Sequence, residues 1–367
     1  MKCPRCLNED PRYFYLGSKG YYCRRCIKFK RVLIDESINL IIEQLDSTDM
    51  DVDYQLNFAL TPLQRTISDK LAIMIDDQDT LVYASCGAGK TEIVMKTISE
   101  HLKKGLRVGY TTPRRQVAIE VGLRMKRAFS KLNVVIVCEG YTDKTHGDLV
   151  VCTTHQLYRY FKFFDILIID EPDAFPFYKN VVLKGIAKTA CIGHYVYLTA
   201  TPDEELLPLN TLKLFKRPHG YDIPVPQSVC LPKSLALIRL IFWMKNHRRA
   251  LIFVPTIKMA DKLSRLFKVP SLSSKTLNKD EVINKFKQRK ISYIICTTIL
   301  ERGVTFSDID VCIYHADHIV FNLASLIQIM GRIGRDMNYP NGDGLMLCFR
   351  KEKKIDECIK RITMMNV

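Results

Sequence analysis

The sequence predicts an α/β protein in which two tandem parallel-sheet domains follow a small four-cysteine zinc module. Three observations predict it. Short β-branched runs alternate with helix-spaced segments through 80–199 and again through 250–349, the pattern of parallel sheets covered by helices on both faces. Between the two series lie Pro218, Pro224, Pro226 and Pro232, which favour an irregular joint. The N-terminal segment holds Cys3-Pro-Arg-Cys6 and Cys23-Arg-Arg-Cys26, two C-x2-C pairs separated by 16 residues. The expected division is a zinc module at 1–31, an acidic connector with a short helix at 32–57, a first α/β domain at 58–217, a linker at 218–232 and a second α/β domain at 233–367.

The head comes first. Four thiolates at this spacing suit tetrahedral Zn²⁺, each pair presenting two sulfurs to one ion. A shell closed by Cys3, Cys6, Cys23 and Cys26 leaves no position for water, so the metal is expected to be structural. A segment this small needs such a staple to fold. Tyr13, Phe14, Tyr15, Tyr21, Tyr22 and Phe29 are interleaved with its basic residues. They suit a platform for single-stranded bases, equally the module's own core, and equally a docking face for another protein.

Charge separates the head from the body. Residues 1–31 hold nine Lys or Arg against two acids, while 32–64 hold seven acids and no Lys or Arg. These +7 and −7 segments cancel, so residues 65–367 carry the whole formal net charge of +16. Such a balance favours a polyanionic partner, whether nucleic acid, an anionic membrane surface or an acidic protein. With 47% hydrophobic residues the chain is not a disordered basic tail. No run reaches the ~18 apolar residues of a membrane span, and no apolar stretch of a signal peptide follows Met1. A cytoplasmic protein is therefore expected, with its 13 cysteines reduced.

In the connector, 38–45 has helical spacing. Strands are expected at 80–84, 107–111, 134–138, 149–152, 166–170 and 195–199, and then at 250–254, 292–296, 311–315 and 344–349. Tyr158, Tyr160, Phe161, Phe163 and Phe164, at helical spacing before a strand, read as packing rather than as a stacking surface.

Three anchors carry chemistry. The first is Ala84-Ser85-Cys86-Gly87-Ala88-Gly89-Lys90-Thr91, between a strand and a helix. Its glycines let backbone N–H groups close around phosphates, Lys90 reaches the β and γ phosphates, and the Thr91 hydroxyl ligates Mg²⁺. Ala84 stands where the strict pattern has Gly, and Cys86 reads as a small filler. The second anchor is Ile168-Ile-Asp170-Glu171-Pro-Asp173 at the end of an apolar run. Asp170 is placed to hold Mg²⁺ and Glu171 to orient and deprotonate the attacking water. The third is Gln328-Ile-Met-Gly-Arg332-Ile-Gly-Arg335 in the other domain. Arginines delivered from a separate domain stabilise the departing γ-phosphate only when the domains close.

With these anchors in order, the chain resembles the superfamily 2 helicases and translocases, and the resemblance spans residues 58–350. Leu60-Thr-Pro-Leu-Gln64 is similar to the adenine-reading glutamine element. Thr111-Thr-Pro-Arg114-Arg115 resembles motif Ia, Thr153-Thr154-His155-Gln156 motif Ib, and Leu198-Thr199-Ala-Thr201-Pro motif III, which couples the ATP site to DNA. Leu251-Ile-Phe-Val-Pro-Thr256 resembles motif IV, and Cys296-Thr-Thr298-Ile-Leu-Glu-Arg302-Gly303-Val-Thr305 resembles motif V. Within the superfamily the chain resembles the ComFA family of late-competence translocases. The four-cysteine module, Asp170-Glu-Pro-Asp-Ala-Phe-Pro176, Leu300-Glu-Arg-Gly-Val-Thr305 and Gly331-Arg-Ile-Gly-Arg335 with Tyr339-Pro-Asn-Gly-Asp343 carry this resemblance.

The resemblance implies two RecA-like domains and an ATP-dependent single-stranded DNA translocase or helicase driving uptake of transforming DNA. ATP and Mg²⁺ are the implied cofactors beside the structural zinc. Arg114, Thr153, Thr154, Thr298 and Arg302 are the implied DNA contacts, and Thr199 and Thr201 the coupling pair. ComFC and the membrane uptake channel are the implied partners, which would bring the chain to the inner face of the membrane. Two alternatives stand beside this reading: a PriA-like helicase of replication or repair, and an ATP-gated DNA scaffold that does not translocate. An RNA substrate is disfavoured because motif II is not Asp-Glu-Ala-Asp.

Overall fold

The β-branched runs do form parallel strands, because each is buried on both faces by flanking helices. The computed structural model describes residues 1–34, 52–298 and 306–366. The helix expected at 38–45 lies outside the described residues. Two units are resolved, one comprising Met1–Ala84 with Gly89–Leu214 and the other Ser85–Ala88 with Phe215–Val367.

The first unit opens with the hairpin β1 (Phe14–Gly17) and β2 (Gly20–Cys23). Helix α1 (Pro62–Met74) precedes β3 (Thr80–Ala84), and α2 (Lys90–Lys103) leads to β4 (Val108–Thr112). Then come α3 (Arg115–Ala128), β5 (Val134–Val137), β6 (Leu149–Thr153), β7 (Phe164–Asp170), α4 (Val181–Ala190), β8 (Cys191–Thr199) and β9 (Asn210–Leu214). Strands β3 to β9 form one seven-stranded parallel sheet in the order β5-β6-β4-β7-β8-β3-β9. Strand β9 was not anticipated: its burial pattern, with a single strong alternation at an edge beside β3, is weak in sequence. Tyr160, Phe163 and Phe164 are buried in the core.

The head is not a separate body. Its cysteines, Phe29 and Val32 belong to one apolar cluster with Leu183, Ile186, Ala187 and Ala190 of α4. A β-carbon at Gly185, in the middle of α4, would collide with the Cys6 carbonyl. Glycine in a helix interior costs about 1 kcal/mol relative to alanine; here it lets the first cysteine knuckle lie against the helix backbone. The Thr189 hydroxyl donates to the Arg5 carbonyl at 2.8 Å.

The second unit contains β10 (Gln227–Cys230), α5 (Lys233–Asn246), β11 (Ala250–Phe253), α6 (Ile257–Phe267), β12 (Ser271–Leu272) and α7 (Lys279–Lys287). It continues with β13 (Tyr293–Cys296), β14 (Asp310–Tyr314), α8 (Leu323–Met330), β15 (Gly344–Cys348) and α9 (Lys353–Met364). Its six-stranded parallel sheet runs β10-β15-β14-β11-β13-β12. The interval 218–232, expected as a linker, therefore holds the edge strand β10. Proline is tolerated there because an edge strand pairs on one side only, and Pro224 and Pro226 precede the strand itself.

Candidate functional site

In the first unit the chemistry gathers at the C-terminal ends of the strands, where open α/β sheets bind ligands. The loop after β3 turns at Gly87 (φ 84°) and Gly89 (φ 86°), left-handed conformations that favour glycine. Gly89 is the N-cap of α2, so Lys90 and Thr91 open that helix at the positive end of its dipole. A β-carbon at Gly89 would collide with Nε2 of Gln64. Gln64 is 3% exposed. Its Oε1 accepts the Thr61 N–H at 3.0 Å while Thr61 Oγ1 accepts the Gln64 N–H at 3.3 Å. The residue expected to read adenine thus also closes the capping box of α1, with its amide end against the phosphate loop.

Asp170 ends β7 and is buried. Tyr110, in the neighbouring strand β4, donates its hydroxyl to Asp170 Oδ2 at 2.9 Å. The same hydroxyl also interacts with Thr91. Burial, and then the Asp170 charge, hold the Tyr110 phenol well above its ordinary pKa, so it remains a donor. Thr91 and Asp170, the two oxygen ligands expected for Mg²⁺, therefore both lie beside one buried hydroxyl. Tyr110 was not singled out from sequence. Nothing in a strand of buried residues distinguishes it until β4 and β7 are seen to be neighbours.

Glu171 has a left-handed backbone (φ 57°). Its N–H donates to the Leu198 carbonyl at 2.9 Å, so β8 holds a conformation that a non-glycine residue otherwise avoids. Asp173 was quoted within motif II but given no role. Its two carboxylate oxygens accept the hydroxyls of Thr199 at 2.5 Å and Thr201 at 2.9 Å. The Thr201 N–H also donates to Thr199 Oγ1 at 2.9 Å. The two threonines expected to couple are thereby tied to the acidic turn that carries Glu171.

Of the residues expected at DNA, Thr153 ends β6 in register with Thr112 of β4. Arg114, two residues beyond Thr112, is the N-cap of α3. The sheet thus brings Arg114, Thr153 and Thr154 to adjacent strand ends. Thr153 is 6% exposed and Thr154 is fully buried, so these two offer backbone more than side chain to a ligand. Thr298 follows β13 and is partly exposed; Arg302 lies outside the described residues.

In the second unit Gln328, on α8, and Arg332, just beyond it, are 3% and 2% exposed. Arg335 donates through Nε to the Gly331 carbonyl at 2.8 Å. Cys86, from the short segment grouped with this unit, donates its thiol to Gln328 Oε1 at 3.2 Å. Arg217 was missed in the sequence, where it is one cation among 55 Lys and Arg. Its buried guanidinium donates to the carbonyls of Gly331 (2.9 Å), Ile333 (2.7 Å) and Gly334 (2.8 Å), and to that of Cys86 (3.0 Å). Burial pulls its pKa down to about 10, assisted by Arg335, so it remains charged. Arg217 thus pins the turn bearing Arg332 and Arg335, together with His219, whose Nε2 lies 3.0 Å from the Gly334 carbonyl.

The four head cysteines are buried and their sulfurs lie within 4.8 Å of one another. The Cys3–Cys26 and Cys6–Cys23 sulfurs are 3.7 and 3.8 Å apart. A tetrahedron with metal–sulfur bonds of about 2.3 Å requires sulfurs about 3.8 Å apart, so the set fits a single tetrahedral ion.

Two RecA-like sheets, a phosphate loop after β3, an acidic pair after β7 and an arginine turn after α8 define a superfamily 2 helicase, an ATP-hydrolysing enzyme that acts on nucleic acid. Residues 61–208 match the DEAD/DEAH box helicase family and residues 232–337 the helicase conserved C-terminal domain. The chain belongs to the ComFA family of competence proteins. It is 34% identical to competence protein ComFA of Streptococcus pneumoniae (strain ATCC BAA-255 / R6), over 99% of this chain and 90% of that one. It is 32% identical to competence protein ComFA of Bacillus subtilis (strain 168), over 100% and 85%. Among solved structures, S. cerevisiae Dbp5 bound to RNA and ADP BeF3 superposes with a TM-score of 0.59 at 18% identity, covering 84% of this chain and 92% of that one, a likeness of fold.

Proposed function

We propose that this competence helicase is an ATP-driven translocase on single-stranded DNA that serves the uptake of transforming DNA. The observation that carries the reading is the tie between Asp173 and the threonines of motif III, because a motor must transmit changes at the hydrolytic turn to the ends of the strands that grip its track. Lys90 and the backbone from Ser85 to Gly89 would hold the phosphates, Thr91 and Asp170 would hold Mg²⁺, and Gln64 would face the adenine. Such a metal would supply charge neutralisation to the phosphates. Glu171 orients and deprotonates water. Gln328, Arg332 and Arg335 offer polar and cationic groups to the leaving phosphoryl when the domains close. Arg114, Thr153, Thr154, Thr298 and Arg302 meet the DNA backbone, positioning a strand without reading it. The charge of +16 on residues 65–367 supports a polyanionic track. The cytoplasmic face of the membrane, with ComFC and the uptake channel as partners, is the setting that family membership supports. No described helix is long and apolar enough to cross a membrane.

ATP turnover is expected to be slow alone and to rise at least about tenfold with single-stranded DNA, in a steady-state ATPase assay. Equal turnover with and without it would overturn the motor reading, and stronger stimulation by RNA oligonucleotides than by DNA would move the substrate to RNA. Triplex displacement separates translocation from an ATP-gated scaffold, which would hydrolyse without displacing the third strand.

The head thiols suit Zn²⁺ over harder ions. Metal analysis of the purified chain should find about one zinc per chain, lost in Cys23→Ser together with protease resistance of the first 31 residues. Unchanged metal content in that variant would refute the four-cysteine site.

A further inference from the structure

The head's hairpin carries a face that its structural role does not explain. One side of the module is consumed in docking. Phe29 packs against His155 and Tyr158 at ring separations of 6.1 and 5.7 Å, and the Cys6 knuckle lies against α4. His155 and Tyr158 belong to the segment immediately after β6, beside Thr153 and Thr154, so the module is seated on motif Ib as well as on α4, within one unit.

The hairpin presents a different set of residues. Tyr15 and Tyr22 are directly opposed across β1 and β2, with ring centroids 6.5 Å apart. Each ring carries a guanidinium, Arg24 at 4.3 Å from the Tyr15 centroid and Arg31 at 4.6 Å from that of Tyr22. A third pair continues the row, with Arg25 at 5.0 Å from the Tyr13 ring. Tyr13 and Tyr15 are 37% and 43% exposed, and Arg24 and Arg31 are exposed. Tyr22 and Arg25 are half-buried, and Arg25 donates to Asn8 Oδ1 at 2.7 Å, whereas the exposed parts of Tyr13 and Tyr15 beside Arg24 and Arg31 contribute little to the fold. Of the head's two acids, Glu9 pairs with Lys2 and Asp10 with Arg12, Asp10 also acting electrostatically on Arg25; neither acid pairs with Arg24 or Arg31.

We propose that this row is a single-strand binding site, with bases stacking on Tyr13, Tyr15 and Tyr22 and backbone phosphates meeting Arg24, Arg25 and Arg31. A nucleic-acid strand is the occupant because it alone supplies flat π faces and regularly spaced anions together, matching three aromatic rings each accompanied by a cation. The surplus of +7 in 1–31 provides the charge complementarity. An acidic protein would satisfy the arginines but leave the rings without partners. Seated on motif Ib, the zinc module lengthens the grip of the ATP-binding domain on the strand, and the zinc holds that extension rigid. The inference rests on the single-strand substrate proposed above.

Fluorescence anisotropy of a labelled oligothymidylate, titrated with the full-length chain without nucleotide, tests it. Tyr15→Ala with Tyr22→Ala should weaken binding by about tenfold or more, with zinc content unchanged. Tyr15→Phe with Tyr22→Phe should retain wild-type affinity, because the π faces remain. Arg24→Gln with Arg31→Gln should reduce the slope of log affinity against log salt by about 0.7 per contact removed. Wild-type affinity and salt slope in the alanine and glutamine variants would overturn the site while leaving the motor reading intact. Failure of the wild-type chain to bind would overturn both.

Discussion

Glu171→Gln is expected to lower the maximal ATP turnover by about 10²–10⁴-fold, the range of a positioned general base, while ATP affinity and single-strand binding stay within a few-fold of wild type. The substitution keeps the size and backbone of the residue, so the left-handed conformation at φ 57° and the bond to the Leu198 carbonyl are retained. Only the capacity to accept a proton is removed. Single-turnover hydrolysis, with nucleotide binding measured separately, checks this. Turnover within tenfold of wild type would remove Glu171 from the chemistry, and parallel loss of binding would indicate damage to the acidic turn instead. Lys90→Ala differs in kind, because it also removes ground-state contacts with phosphate and so should lower affinity as well as rate.

Arg332→Lys should cost about 10³-fold in hydrolysis at saturating ATP, at the lower end of the range for a transition-state arginine. Lysine keeps the charge but not the planar fork that meets two phosphoryl oxygens at once. Arg332→Ala is expected to lose at least as much, with some loss of stability, since Arg332 is 2% exposed and its removal leaves a void. Nucleotide affinity should fall much less than rate in both variants; comparable falls would argue against a transition-state role. Arg217→Met is the comparison. It leaves Arg332 and Arg335 in place but removes the cation that satisfies the Ile333 and Cys86 carbonyls, while the Gly331 carbonyl keeps Arg335 and the Gly334 carbonyl keeps His219. Stranding the two acceptors should cost about 1–3 kcal/mol of stability in the second unit, read by chemical denaturation. Turnover should fall by about 10–10²-fold through misplacement alone. An unchanged melting profile would show that the turn holds itself.

Much of the site is legible in one dimension because its chemistry is local. A phosphate loop requires its glycines, lysine and threonine within eight residues, and Asp170 and Glu171 need only a strand end. The cysteine pairs are equally local, since each knuckle is complete in four residues. Positions with no local constraint were not legible. Tyr110 is a buried strand residue like its neighbours, Arg217 one cation in a basic chain, and Asp173 the last acid of a turn; each acquires a role through a partner 60 or more residues away, or through a pair of strands brought side by side, as Thr199 and Thr201 are to Asp173. The edge strands β9 and β10 escaped notice because one-sided pairing relaxes the requirement for a strongly apolar run.

By itself the sequence determined the class of fold, the nucleotide loop, the acidic turn, the arginine turn and the four-cysteine set. These depend on residue type and short spacing, and neither needs a third dimension. The tertiary structure decided that the four-cysteine module is seated on motif Ib, that Tyr110 joins Thr91 to Asp170, and that Arg217 pins the arginine turn. Such features arise from close packing of distant segments. Whether two buried groups meet at 3 Å is set by strand order and helix placement, and no local pattern of residues encodes either.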